Sequence, residues 1–142
     1  MFQEILQGGN SGGGSTETVT PLISSKVLGN TGDSITLSDD MTKYKYIDFV
    51  VSYNEISNGN YQSHRTANRI PLYLIQKCLD DISTNGVKLY NGSIMVRTFS
   101  NLSYAIFFGL QIVGNNSIKV MLKTVTGWNA NQCYIEEING IN

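Results

Sequence analysis

The feature that most limits what this chain can fold into is its punctuation. From Thr16 onward, strand-length runs of β-branched and aromatic residues alternate with Gly and Asn steps, with no long helical segment between them. The expected strands are Thr20 to Leu28, Ser34 to Ser38, Tyr44 to Tyr53, Ile70 to Gln76, Val87 to Tyr90, Ser93 to Phe99, Ser103 to Gly109, Ser117 to Val125 and Gln132 to Ile138. Asn91-Gly92 and Gly114-Asn115-Asn116 fall between them, steps that tolerate the positive φ of hairpin turns. The segment from Tyr44 to Tyr53 gives the clearest signal. Alternation puts Tyr44, Tyr46, Asp48, Val50 and Ser52 on one face, and Lys45, Ile47, Phe49, Val51 and Tyr53 on the other. Asn54 to Asn68 reads as a long polar loop with a turn at Asn58-Gly59-Asn60, and Pro71 places the next strand at an edge or at its own start. Lys77 to Thr84 fits either one helical turn, through Leu79 and Ile82, or continued strand. Short strands in close succession pair antiparallel. The expected fold class is all-β, a two-sheet jelly-roll-like sandwich of about eight strands over residues 19–142.

The front of the chain is different material. Residues 8–18 form a Gly/Ser-rich linker, whose Gly8-Gly9-Asn10-Ser11-Gly12-Gly13-Gly14-Ser15 core has no side chain able to build a packed interior. Ahead of it, residues 1–7 carry Phe2, Ile5 and Leu6 at helical spacing. A helix this short does not pay its nucleation cost alone in water, so these side chains need a partner surface. The expectation is an anchor or assembly peptide on a tether.

Composition narrows the partners. The formal net charge is -1 and only 15% of residues are charged, so polarity rests on Asn, Ser, Thr and Gly. Ten Lys and Arg spread along 142 residues make no concentrated basic face, which argues against nucleic acid. No apolar run reaches bilayer length, and the N-terminus lacks the basic and apolar regions of a secretory signal. The expectation is therefore a protein made in a cytoplasm, with no membrane partner, and with Cys78 and Cys133 as reduced thiols.

Groups for chemistry are few. His64 is the single histidine, and the acidic pairs Asp39-Asp40, Asp80-Asp81 and Glu136-Glu137 sit where turns and strand surfaces account for them. Neighbours in a regular strand point to opposite faces, which separates Glu136 from Glu137. No catalytic, cofactor or metal site is expected. Two surfaces are candidates for ligand or interface contact. One is Trp128 with Asn129 and Asn131, a stacking platform flanked by amides; the other is the polar loop with Tyr61, His64 and Arg65.

Four stretches carry a resemblance. They are the opening MFQEILQGG with its following GGGS, Ile35-Thr36-Leu37-Ser38-Asp39-Asp40, Lys43-Tyr44-Lys45-Tyr46-Ile47, and the closing Ile135-Glu136-Glu137-Ile138-Asn139-Gly140-Ile141. Together they resemble small virion-associated proteins of phages of Gram-positive bacteria, and the C-terminal domains of their tail or head fibre proteins. The resemblance implies an all-β domain, homo-oligomers with a trimer favoured, and a place on the virion as fibre, tail-tip or capsid decoration. It supplies no catalytic residues. The expected function is a phage structural protein, assembled in the host cytoplasm and attached to other virion proteins by its N-terminal peptide. The alternative is a lectin-like receptor-binding module for a host surface glycan.

Overall fold

The computed structural model of the protein describes residues 16–28, 30–57, 60–88, 91–100, 105–126 and 133–142. Among them, nine strands and one helix follow in the order β1 (Val19–Pro21), β2 (Val27–Leu28), β3 (Ser34–Thr36), β4 (Tyr46–Ser57), β5 (Asn60–Pro71), α1 (Leu72–Asn85), β6 (Ser93–Ser100), β7 (Ala105–Gly114), β8 (Ser117–Thr126) and β9 (Cys133–Ile141). One sheet has the order β1-β9-β4-β5, with β2 also on β9; the other has the order β3-β8-β7-β6. Every strand pair is antiparallel. The two-sheet antiparallel sandwich is thus as the sequence predicts. β1-β9-β4 in one sheet and β3-β8 in the other follow a jelly-roll path. The β4–β5 hairpin and the β6–β7–β8 meander replace its remaining crossings.

Alternation builds the core. Ile47, Phe49 and Val51 of β4 and Ile135 and Ile138 of β9 are buried with Val96 of β6, Phe108, Leu110 and Ile112 of β7, and Ile118 and Val120 of β8. The face read for Ile47, Phe49 and Val51 is the core face. Each fully buried side chain of this size contributes about 1.5–3 kcal/mol through removal from water.

Two segments depart from the sequence expectation. Asn54 to Asn68 is not a loop. It belongs to a hairpin whose ladder runs unbroken from Tyr46↔Pro71 to Ser57↔Asn60. Of the turn expected at Asn58-Gly59-Asn60, Asn58 and Gly59 lie outside the described residues, and Asn60 opens β5. The second departure is α1. Ile70 to Gln76 was expected as a strand, yet β5 ends at Pro71 and a helix begins at Leu72. Leu72, Ile75, Leu79 and Ile82 recur at helical spacing, and Ile75 and Cys78 are buried against the sandwich. The Leu72 N–H donates to the Lys45 carbonyl at 2.9 Å, and at the far end the Gly86 N–H donates to Ile82 O at 2.8 Å. Gly86 has φ +77, a conformation suited to glycine after a helix.

Smaller corrections follow from packing. The expected strand Thr20 to Leu28 is split, because Leu22 turns into the core and its N–H donates to Ile138 O at 2.7 Å while its carbonyl accepts from Ser38 N at 2.9 Å. Val87 and Lys88 lie outside any strand, and Leu89 and Tyr90 are outside the described residues.

The turn before β4 is a short 3-10 helix, Met41–Lys43, that presses Met41 into the core. Its cap is Asp40. Asp40 Oδ1 accepts from Thr42 N at 2.8 Å and Thr42 Oγ1 at 2.7 Å, and Asp40 Oδ2 accepts from Asn115 Nδ2 at 3.1 Å. Asp39 Oδ1 accepts from Lys43 Nζ at 2.6 Å and from Asp40 N at 2.8 Å, and Asp39 Oδ2 accepts from Tyr44 Oη at 2.9 Å. The Lys43 bond first, then the Asp40 N–H and the Tyr44 hydroxyl, lower the Asp39 pKa to about 2. The folded value lies below the unfolded one of about 3.9, so this stabilisation is complete above the unfolded pKa and is lost as pH falls toward the folded one. Urea unfolding followed from pH 5 to pH 2 is therefore expected to show a steeper acid loss in the wild type than in Asp39→Asn. Parallel curves would count against the assignment.

Candidate binding surfaces

Of the residues singled out from sequence, the structure describes few side chains. Phe2, Ile5, Leu6, Trp128, Asn129 and Asn131 lie outside the described residues. Tyr61 and His64 fall in β5, at register positions opposite Ile56 and Tyr53. They belong to an edge strand of the five-stranded sheet, not to a loop. Arg65 pairs with Ser52 in the same hairpin, and its side chain is 57% exposed with Nε 3.6 Å from Glu136 Oε1. Ser52 Oγ donates to that same carboxylate oxygen at 2.6 Å. Arg65 thus covers a small hydrogen-bonded cluster on the outer face of the sheet, in which the Glu136 side chain is 14% exposed and Ser52 is buried.

The Glu136-Glu137 pair is a correction. Between β4 and β9 the register shifts at Val50/Val51, with Val50 opposite Glu137 and Val51 opposite Ile135. This bulge lets Ile135 and Ile138 both be buried although they are three positions apart. Glu136 and Glu137 are left together on the outer side, where Glu137 Oε2 accepts from Asn139 Nδ2 at 3.5 Å and Glu136 takes the Ser52 bond. The strict alternation that separated them does not survive the bulge.

Other polar groups are occupied in holding the fold. Asp81 Oδ2 accepts from Gly92 N at 2.7 Å and Asp81 Oδ1 from Asn85 Nδ2 at 3.0 Å, pinning α1 to the start of β6. Gly92 has φ +65, and a Cβ there would lie 2.8 Å from Ile82 Cγ1, so the approach of helix and strand requires glycine. Gln111 is buried, and its Nε2 donates to Lys88 O at 2.9 Å and Asn91 O at 2.7 Å. Cys78 is a buried free thiol whose pKa is raised by that burial and by the nearby Asp81 charge, the opposite of what a nucleophile needs. Among the described residues no cluster of three or more His, Cys, Asp or Glu side chains is arranged to hold a metal. No described helix is long and apolar enough to cross a membrane.

Two further features stand out. The first is where the sandwich receives its N-terminal segment. Thr18 N donates to Asn142 O at 2.8 Å and Asn142 N to Thr18 O at 3.1 Å, so the strand entering the domain is bonded to its C-terminal residue. One residue earlier, Glu17 meets Arg69 of β5. Arg69 Nη1 and Nη2 donate to Glu17 Oε1 and Oε2 at 2.7 and 3.2 Å, while Nε and Nη2 donate to Asp48 Oδ1 and Oδ2 at 2.8 and 2.9 Å. The guanidinium holds two carboxylates with paired bonds, which lowers the Glu17 pKa and raises that of Arg69. The second feature is a pair of grooves flanking α1. One, of about 550 Å³, lies between the helix and β6 and has Cys78, Ile94 and Met95 in its wall. The other, of about 770 Å³, opens beside the first half of the helix, where Tyr46 and Tyr73 are exposed.

Comparison with protein-family models and with curated proteins finds no match for this chain.

Proposed function

We propose that this chain is a non-enzymatic structural protein of a phage virion, a fibre, tail-tip or decoration component. Residues 1–7 attach it to other virion proteins, and the β-sandwich is presented outward, as a trimer in the fibre-like arrangement. The observation that carries this reading is the fixed departure point of the N-terminal segment. Glu17 and Thr18 are bonded to Arg69 and Asn142, which fixes these two residues on the sandwich. Gly8 to Ser15 carry no side chain able to build a core and are preceded by Phe2, Ile5 and Leu6, the composition of a tether with an anchor at its end. The sequence resemblance supports the same assignment.

The attachment peptide is expected to work away from its own domain. Residues 1–15 fused to an unrelated fluorescent protein should bring that protein into purified particles, and a Phe2→Ser, Ile5→Ser, Leu6→Ser version should not. Fluorescence that stays entirely in the unbound fraction would count against the peptide as an anchor.

A further inference from the structure

The groove of about 770 Å³ beside α1 is furnished in a way the fold does not use. Tyr73, Gln76, Lys77 and Asp80 recur at helical spacing, so they share one stripe of α1, away from the buried Ile75 and Cys78. Tyr73 is 62% exposed, and Tyr46, across the groove at the start of β4, is 37% exposed. Exposed aromatic rings lining one cleft with polar groups around them have the make-up of a ligand site.

The chemistry of the rim narrows the ligand. Lys45 and Lys77 offer ammonium donors, Asp80 an acceptor, and Gln76 one of each kind. Both signs of charge are present, so the groove does not select a strong anion or cation. A ligand that fits has flat C–H faces for the rings and hydroxyl edges that both give and take hydrogen bonds. Tyr46 is also held in place before any ligand arrives. The Arg69 guanidinium stacks on its ring, 5.1 Å from the centroid, and is fixed by Asp48 and Glu17. Such preorganisation reduces the ordering cost of binding. We infer that this groove is a saccharide-binding site, in which Tyr73 and Tyr46 stack against sugar rings while Gln76, Asp80 and the two lysines bond the hydroxyls. The site does not depend on the N-terminal peptide, and its failure would leave the tethered-module reading intact.

The test uses the full chain on a glycan microarray carrying bacterial capsular and cell-wall polysaccharides, followed by calorimetric titration of the strongest glycan found. Tyr73→Ala should weaken that titration at least tenfold and Gln76→Ala severalfold, while Tyr73→Phe, which keeps the ring, stays within twofold of wild type. Val87→Ala, exposed but outside the groove, should bind as wild type does. Because Tyr73 is exposed, circular dichroism of its variants should match wild type. No retained glycan on the array, or a titration indifferent to Tyr73→Ala, overturns the inference. So does a loss confined to Trp128→Ala, which would assign the sugar to Trp128 instead.

Discussion

Gly140→Ala is expected to destabilise the sandwich by about 3 kcal/mol, a severe cost for a single added methyl. Gly140 lies in β9 between Thr20 of β1 and Ile47 of β4, and the ring of Tyr44 lies flat against it. A Cβ there would stand 2.5 Å from Tyr44 Cγ and Cδ1, closer than atoms pack. The ring cannot simply swing away, because its hydroxyl donates to Asp39 Oδ2 at 2.9 Å. The usual gain from replacing a glycine, a stiffer unfolded chain, is under about 1 kcal/mol and does not offset the clash. The mechanism predicts coupling. In a double-mutant cycle with Tyr44→Ala, which removes the obstructing ring, the combined loss should fall short of the sum by about 1 kcal/mol or more. Strict additivity, or a Gly140→Ala protein as stable as wild type in urea, would show that the ring does not press on β9.

Phe49→Ala should cost more still, about 3–5 kcal/mol, through lost burial and the cavity left behind. Phe49 is fully buried in β4, the strand between β9 and β5, and pairs with Ile138 on one side and Asn68 on the other. The neighbours across the sandwich are held by their own ladders and cannot close over the vacancy. Thermal unfolding should drop by on the order of 10 °C. Val19→Ala, at a position 56% exposed, should stay within about 0.5 kcal/mol of wild type. Equal effects at the two sites would contradict the placement of the core.

Where alternation of apolar and polar residues was present, the sequence was a sound guide. Ile47, Phe49 and Val51 read as one face from alternation alone, and they are part of the buried core. β5 could not be read that way, because Asn60 to Asn68 has almost no apolar residue to alternate. Its strand character comes from backbone pairing to β4, for which Asn58-Gly59 was the one visible signal. α1 was hidden by Pro71, which reads as an edge-strand residue and is one, but which also stands directly before the helix. The spacing of Leu72, Ile75, Leu79 and Ile82 was there to be counted.

The groove depends on the same helix. Tyr73, Gln76, Lys77 and Asp80 become a stripe only once the segment is helical. The bulge at Glu136 left no trace in composition, since an extra residue in a strand looks like any other. Nor does anything around Gly140 announce that a tyrosine ring rests on it.

In the proposed arrangement a folded sandwich is carried by a separate attachment peptide. Deleting residues 1–15 leaves Glu17, Thr18 and their bonds to Arg69 and Asn142 in place. The most direct measurement is quantitative mass spectrometry of purified particles from hosts expressing either the full chain or the deletion. The shortened protein is expected to keep its urea midpoint, and at least tenfold less of it to reach the particles. Incorporation equal to the full chain would contradict it.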